Sequence, residues 1–148
     1  GGADLVPVRL KIEPDLKLNP QRAQIMGHES RLGQVIDNLI ANARSFSPAE
    51  GCVQISLTRQ NERMVIRVED DGPGIPPHAI ERIFERFYTD RPDHGFGQHS
   101  GLGLSISRQI IAAHAGSIQA ENRLAPSTGP DEPSPLGACF IITLPVIA

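Results

Sequence analysis

Apolar residues recur along this chain with two different periods, and the places where the period changes mark its elements. Val8-Arg9-Leu10-Lys11-Ile12 alternates as a half-buried strand does. Pro14 and Pro20 bracket what reads as a loop. Between Arg31 and Phe46 the apolar residues Leu32, Val35, Ile36, Leu39, Ile40 and Ala43 share one helical face, with Ser30 placed to cap the start and Pro48 to stop it. Alternation returns at Val53-Gln54-Ile55-Ser56-Leu57 and at Met64-Val65-Ile66-Arg67-Val68, and the polar stretch from Arg59 to Arg63 joins the two as a hairpin. Asp71-Gly72-Pro73-Gly74-Ile75-Pro76-Pro77 breaks both periods, after which Ala79 to Phe87 predicts a short helix. A loop rich in Gly, Asp and His then runs to Ser100. Leu102 to Ala115 predicts a second long helix with Gly116 in its C-terminal cap, followed by a strand from Ser117 to Asn122. Four prolines and two glycines between Ala125 and Gly137 read as a flexible connection, spanning about 123–137, that contributes nothing to a core. The last strand is Ala138 to Val146. This order predicts an α/β (α+β) two-layer sandwich, a mixed and largely antiparallel sheet covered on one face by helices.

Composition narrows the function. A chain of 148 residues, 39% of them hydrophobic, supports one compact core, so residues 1–148 are expected to form a single domain, with Gly1-Gly2 reading as a cloning remnant. The net charge of -3 gives no electrostatic case for binding nucleic acid or an anionic membrane. No apolar run approaches the roughly eighteen residues of a membrane span, and no signal sequence opens the chain. Two cysteines, Cys52 and Cys139, are too few for a disulfide scaffold and suggest a reducing compartment. Of the 14 basic residues only Lys11 and Lys17 are lysines, so every permanent positive charge after Asn19 is an arginine.

Three local features carry chemistry, and each has a plainer reading. Asn38 and Asn42 lie one helical turn apart on one face of the long helix. They are either two solvated amides or neutral oxygen donors facing a pocket, of the kind that holds Mg2+ together with phosphate and water. Asp70, at the end of a strand and followed by Gly72 and Gly74, belongs to a simple turn or presents a carboxylate to an exocyclic amine such as that of adenine. Gly101-Leu102-Gly103-Leu104 opens a helix whose free amides suit phosphate, while Leu102 and Leu104 point to the core. Neither the P-loop nor the Rossmann fingerprint is present. No histidine pair has metal-ligand spacing with a third ligand nearby, which argues against zinc.

The order of these features is more telling than any one of them. Asn-x-x-x-Asn, then Asp-x-Gly-x-Gly-Ile, then Ile-Phe-Glu-Arg-Phe, then Gly-Leu-Gly-Leu resembles the N, G1, F and G2 boxes of the sensor histidine kinase catalytic domain. That domain belongs to the wider superfamily that includes gyrase, heat-shock chaperone and mismatch-repair ATPases. Phe87-Tyr88-Thr89-Asp90-Arg91-Pro92 with Gly97-Gln98-His99-Ser100 looks most like ChvG-type envelope-sensing kinases. The resemblance implies the Bergerat-type ATP-binding fold, with ATP and Mg2+ as cofactors. It implies that Asp70 binds the adenine amino group, that Gly72, Gly74 and Ile75 wall its pocket, and that Asn42 ligates Mg2+ with Asn38 near the phosphates or the metal. Ser45 and Phe46 join the nucleotide site at the end of the same helix. Gly101, Leu102, Gly103 and Leu104 cradle the phosphates, and a lid over about 88–100 brings Tyr88, Arg91, Gln98, His99 and Ser100. Phe84 and Phe87 are either part of this box or ordinary core residues.

The resemblance also implies a function: transfer of the γ-phosphoryl group to a histidine on a separate dimerisation domain, for passage to a response regulator, by a cytoplasmic domain of an inner-membrane sensor, a domain that itself makes no direct membrane contact. His28-Glu29 mimics the start of an acceptor motif but lacks its downstream proline, so the chain reads as a catalytic domain without its own acceptor histidine. The alternatives are an anti-sigma-factor type serine kinase and a nucleotide-binding module without catalysis. Superfamily ATPases carry a glutamate four residues before the metal asparagine, and Asn38 stands there, an amide that cannot act as a base. Many relatives place a lysine where this chain has Ser45, with Arg44 one position early, and an arginine where it has Thr89. Arg91, or failing it Arg86, is the expected replacement charge, and with Asn38 and Asn42 it completes the expected catalytic set. Nucleotide titration of Arg91→Ala is expected to show weakened ATP binding; unchanged affinity together with unchanged phosphotransfer removes Arg91 from this role.

Overall fold

The computed structural model describes residues 6–86, 88, 103–124 and 135–147. Five strands form one sheet in the order β1-β2-β3-β5-β4: β1 (Val8–Ile12), β2 (Val53–Gln60), β3 (Arg63–Glu69), β4 (Ser117–Leu124) and β5 (Pro135–Pro145). Only β1 and β2 run parallel; the other neighbours are antiparallel. A parallel pair needs a long crossover, and α2 (Glu29–Phe46) supplies it, reached through a short helix α1 (Pro14–Leu18) and a 3₁₀ turn at Pro20–Ala23. The second long helix, α3 (Gly103–Ala113), precedes β4 and packs on α2. Lys11 lies in β1 and Lys17 in α1, both exposed. The two-layer sandwich read from the sequence is therefore the fold observed.

The core lies between the two long helices and one face of the sheet. Val35, Leu39 and Ala43 of α2 are fully buried with Val53, Val68, Phe140 and Ile142 of the strands and Ile110 and Ile111 of α3. Phe84 joins them edge-on to Phe140, the ring centres 6.2 Å apart. Cys139, on the opposite face of β5 from Phe140, is a buried free thiol that burial, aided by Glu69 and Glu121, pushes up to about 12.

Several boundaries differ from expectation for identifiable reasons. Pro14 and Pro20 begin helical turns instead of bracketing a loop, because a first-turn proline loses no intrahelical bond. Ser30 lies inside α2, whose N-cap is His28; the Ser30 hydroxyl meets His28 Nδ1 at 3.1 Å. The hairpin loop shrinks to Asn61 and Glu62, with Asn61 at φ 57, so β2 and β3 are longer than their alternation showed. Ala79 to Phe87 is not a helix over its described residues: the bonds from Ala79 to Pro76, Arg82 to Ala79 and Glu85 to Arg82 close successive three-residue turns. Ile83 and Phe84 are held there by packing. Pro135 to Gly137, read as flexible linker, is strand, paired with Leu124 and Arg123; proline is compatible with the first residue of a strand. Residues 125–134 lie outside the described residues.

The end of α3 also shifts. Ala115, not Gly116, takes the left-handed conformation, at φ 62, and the Gly116 N–H donates to the Ile111 carbonyl at 2.9 Å. Gly116 is required for a different reason, since a Cβ there would run into the Thr143 carbonyl and come within 2.8 Å of Leu144 Cδ2. Opposite signs are expected at these neighbours in denaturant melts. Gly116→Ala destabilises by about 1–3 kcal/mol through overpacking, whereas Ala115→Gly stabilises by up to about 1 kcal/mol by relieving the left-handed strain.

Candidate functional site

A cleft of about 70 Å³ opens between α2, the segment after β3, and β5. Asn42 and Phe46 line it from α2, Asp70, Gly74, Ile75 and Pro76 from the segment after β3, and Leu104 from α3. Ile83, Ala138 and Phe140 complete the lining. Apolar side chains dominate, and Asp70 is the one carboxylate among them.

Asp70 stands one residue beyond the end of β3 and is 2% exposed. Its N–H donates to the Ala138 carbonyl at 3.0 Å, and the Ala138 N–H donates back to Asp70 Oδ1 at 3.1 Å, so the β3–β5 ladder ends on a side chain. Oδ1 also accepts the Gly72 N–H at 2.9 Å. Both bonds that the carboxylate accepts fall on Oδ1, and Oδ2 carries none among the described residues. Gly137 allows this approach, because its φ is +145 and a Cβ there would collide with the Asp70 carbonyl. Burial pushes the carboxyl above its ordinary 3.8, against the pull of the Ala138 and Gly72 amides and of Arg123. Arg123 Nη1 donates to the Asp70 carbonyl at 2.7 Å and lies 3.2 Å from Asp71 Oδ1, while its Nε lies 2.9 Å from Glu69 Oε2. Asp71 Oδ2 accepts the Cys52 N–H at 2.9 Å, and the Asp71 N–H donates to Ser47 Oγ at 3.3 Å.

The two asparagines of α2 have different surroundings. Asn42 lines the cleft. Asn38, one turn earlier, lines a wider polar groove with Gln34 and Asp37, and its Nδ2 donates to the Gly103 carbonyl at 3.4 Å and to Ser107 Oγ at 3.3 Å. It thus ties α2 to the start of α3. Ser45 Oγ donates to the Asn42 carbonyl at 2.8 Å, and Arg44 Nε donates to the Val6 carbonyl at 3.2 Å, so Arg44 is held at the start of β1. Phe46 and Leu104 sit on the cleft as expected. Phe84 is a core residue, with the Arg108 guanidinium 5.4 Å from its ring centre. Tyr88 lies under Arg82 at 4.9 Å and is not among the lining residues of the cleft. Phe87, Arg91, Gln98, His99, Ser100, Gly101 and Leu102 lie outside the described residues.

Sequence reasoning missed Ala138, Phe140, Ile83, Asn122 and Arg123. Ile83 opens the Ile-Phe-Glu-Arg-Phe box without being assigned to the site, Ala138 and Phe140 fall only within the last strand, and no local signal singles out Asn122 or Arg123.

This arrangement, an apolar cleft with a buried carboxylate at a strand end and an asparagine-bearing helix beside it, defines a nucleotide-binding class of α/β sandwich. The chain belongs to the family of histidine kinase-, DNA gyrase B- and HSP90-like ATPases, whose model matches residues 27–148. Within that family it is 52% identical over 142 residues to Sensor protein ChvG of Rhizobium meliloti, covering 94% of this chain and 24% of that protein. It is 59% identical over 100 residues to Sensor protein ChvG of Agrobacterium fabrum, covering 66% and 17%. The chain therefore spans about a quarter or less of these curated relatives. Among solved structures, the mycobacterial sensor histidine kinase MprB superposes with a TM-score of 0.74 at 26% identity, over 97% of this chain and 83% of that one. The catalytic domain of histidine kinase ThkA gives 0.71 at 29%, over 95% and 78%.

Because the folded pKa of Asp70 lies above its ordinary 3.8, the native state holds a proton that the unfolded chain releases between these two values. Stability therefore falls as pH rises across that window. Asp70→Asn removes the ionisation, so in urea melts its stability relative to the parent is expected to improve between pH 4 and pH 7. A pH-independent difference would show that the carboxylate pays no desolvation cost.

Proposed function

We propose that this domain binds Mg-ATP and transfers the γ-phosphoryl group to a histidine on a separate dimerisation domain, as the catalytic part of a two-component sensor kinase. The observation that carries the reading is Asp70: a buried carboxylate held by two backbone amides on Oδ1, with no bond on Oδ2 among the described residues, beside the apolar lining of the cleft. An exocyclic amine is a natural donor to that oxygen, and Gly74, Ile75 and Pro76 offer an apolar wall to the ring. Gly72 belongs to the same pocket through its bond to Asp70 Oδ1.

The phosphates extend from the base toward Asn42 and the start of α3. The start of α3 at Gly103 and Leu104 favours anions there. The donor set also fits Mg2+: Asn42, on the cleft lining, offers a neutral amide oxygen. A cation bound in this way takes most of its ligands from phosphate and water. When bound, it neutralises phosphate charge and orients the transferred group. Asn38 cannot accept a proton from water, and its amide is engaged by Gly103 and Ser107, so it positions the two helices and provides no base for hydrolysis. That favours transfer to a better nucleophile, an imidazole presented by another domain. A charge in the segment 88–100, with Arg91 foremost, complements the phosphates. No helix among the described residues is long and apolar enough to cross a membrane. The domain is proposed to work at the cytoplasmic side of an inner-membrane sensor and to feed a response regulator.

The domain mixed with a separately made acceptor hairpin and labelled ATP is expected to produce acid-labile, base-stable label on the hairpin. Asp70→Ala is expected to weaken ATP binding about 10- to 100-fold, the scale of a lost hydrogen bond to a charged group. Asn42→Ala is expected to abolish the Mg2+ dependence of binding. Tight ATP binding with no transfer to any acceptor would leave a nucleotide-binding module.

A further inference from the structure

The segment that carries the cleft wall, residues 70–76, forms no strand and has few backbone partners of its own. Ile75 is half-buried in it, and both of its backbone groups are satisfied by one side chain. The Ile75 N–H donates to Asn122 Oδ1 at 2.6 Å, and Asn122 Nδ2 donates to the Ile75 carbonyl at 2.8 Å. The amide of Asn122 thus does for Ile75 what a neighbouring strand does for a residue in a sheet.

The register makes this more than a local tether. Asn122 of β4 pairs with Ala138 of β5. Ala138 is the residue that holds Asp70 on both sides, through its carbonyl and its N–H. Asp70 and Ile75, five positions apart in the chain, are therefore both referenced to a single rung of the β4–β5 ladder. Strand spacing in such a rung is fixed near about 4.8 Å, so the separation of the carboxylate from the facing wall is set by the sheet and not by the loop. Arg123, the next residue, bonds the Asp70 carbonyl and braces the near side of the same slot.

We propose that Asn122 is a positioning residue for nucleotide-base selection, holding Ile75 at a fixed distance from Asp70 so that the slot accepts a purine whose exocyclic amine meets Oδ2. The proposal rests on the adenine-nucleotide reading above and adds to it a residue that lines neither the base nor the phosphates. Asparagine is the side chain the geometry requires. Aspartate at 122 would place a second acceptor against the Ile75 carbonyl, and an aliphatic side chain would leave both backbone groups of Ile75 without a partner.

The test uses the full chain, with Asn122→Ala and the isosteric Asn122→Asp, titrated calorimetrically with ATP and with inosine triphosphate in Mg2+ and followed by thermal melting. The parent is expected to prefer ATP, because inosine lacks the amine. Both variants are expected to melt cooperatively, to lose about tenfold in ATP affinity, and to discriminate less between the two nucleotides, with inosine triphosphate binding changing less. Asn122→Asp that keeps the parent's affinity and preference would show that Asn122 only fills space, and would overturn the assignment. So would failure of both variants to fold, which would make Asn122 a determinant of the fold. A parent that binds the two nucleotides equally, or neither, overturns the adenine reading itself. A discriminating parent alongside equally discriminating variants overturns only the role of Asn122.

Discussion

A carboxylate 2% exposed beside an apolar cleft must have its charge compensated, and here most of the compensation comes from the backbone. Asp70 extends the β3–β5 ladder by one step in which a side-chain oxygen takes the place of a carbonyl. This fixes the carboxylate to the most buried part of the sheet, next to Val68 and Phe140 of the core. Gly137 must lack a side chain for the two backbones to approach, and Arg123 neutralises the cluster of Glu69 and Asp71 that surrounds the same point. Fold stability and cleft geometry therefore share the same few atoms.

The helical layer is tied to that point from the other side. Asp71 accepts the Cys52 N–H at the head of β2 and donates its own N–H to Ser47 just past α2. Asn38, two turns earlier, joins α2 to α3. The long helix is thus attached at one end to the segment that carries Asp70 and near its middle to the start of α3. A displacement of α2 would be felt at both of these points of the cleft region.

The parts of this design that were legible in the sequence are those that depend on local periodicity. The apolar stripe of α2 gave the helix to within two residues, and the alternation around Ile55 and Ile66 gave the hairpin. Asp70 stood out because a strand pattern ends beside two glycines. Asn122 and Ala138 could not stand out: they act through register, across separations of 47 and 68 residues, and nothing in their immediate neighbours differs from ordinary strand. Pro135 to Gly137 misled for a related reason, since glycine and proline there serve a strand start and a close backbone approach while signalling a loop. The turns around Ala79 to Phe84 escaped because their local bonds close separate turns in place of a continuous helix, while Phe84 packs on Phe140.

Both lysines sit at one corner of the molecule, Lys11 on β1 and Lys17 on α1, at the sheet edge opposite β4. Side-chain amine chemistry is thereby confined to that corner. Acylation of lysine, whether by a reagent or by an acetylating enzyme, would change the surface charge of the β1 edge and leave the cleft chemically untouched. Covalent modification of lysine therefore cannot alter the charge lining the cleft, a restriction that follows from composition and topology together.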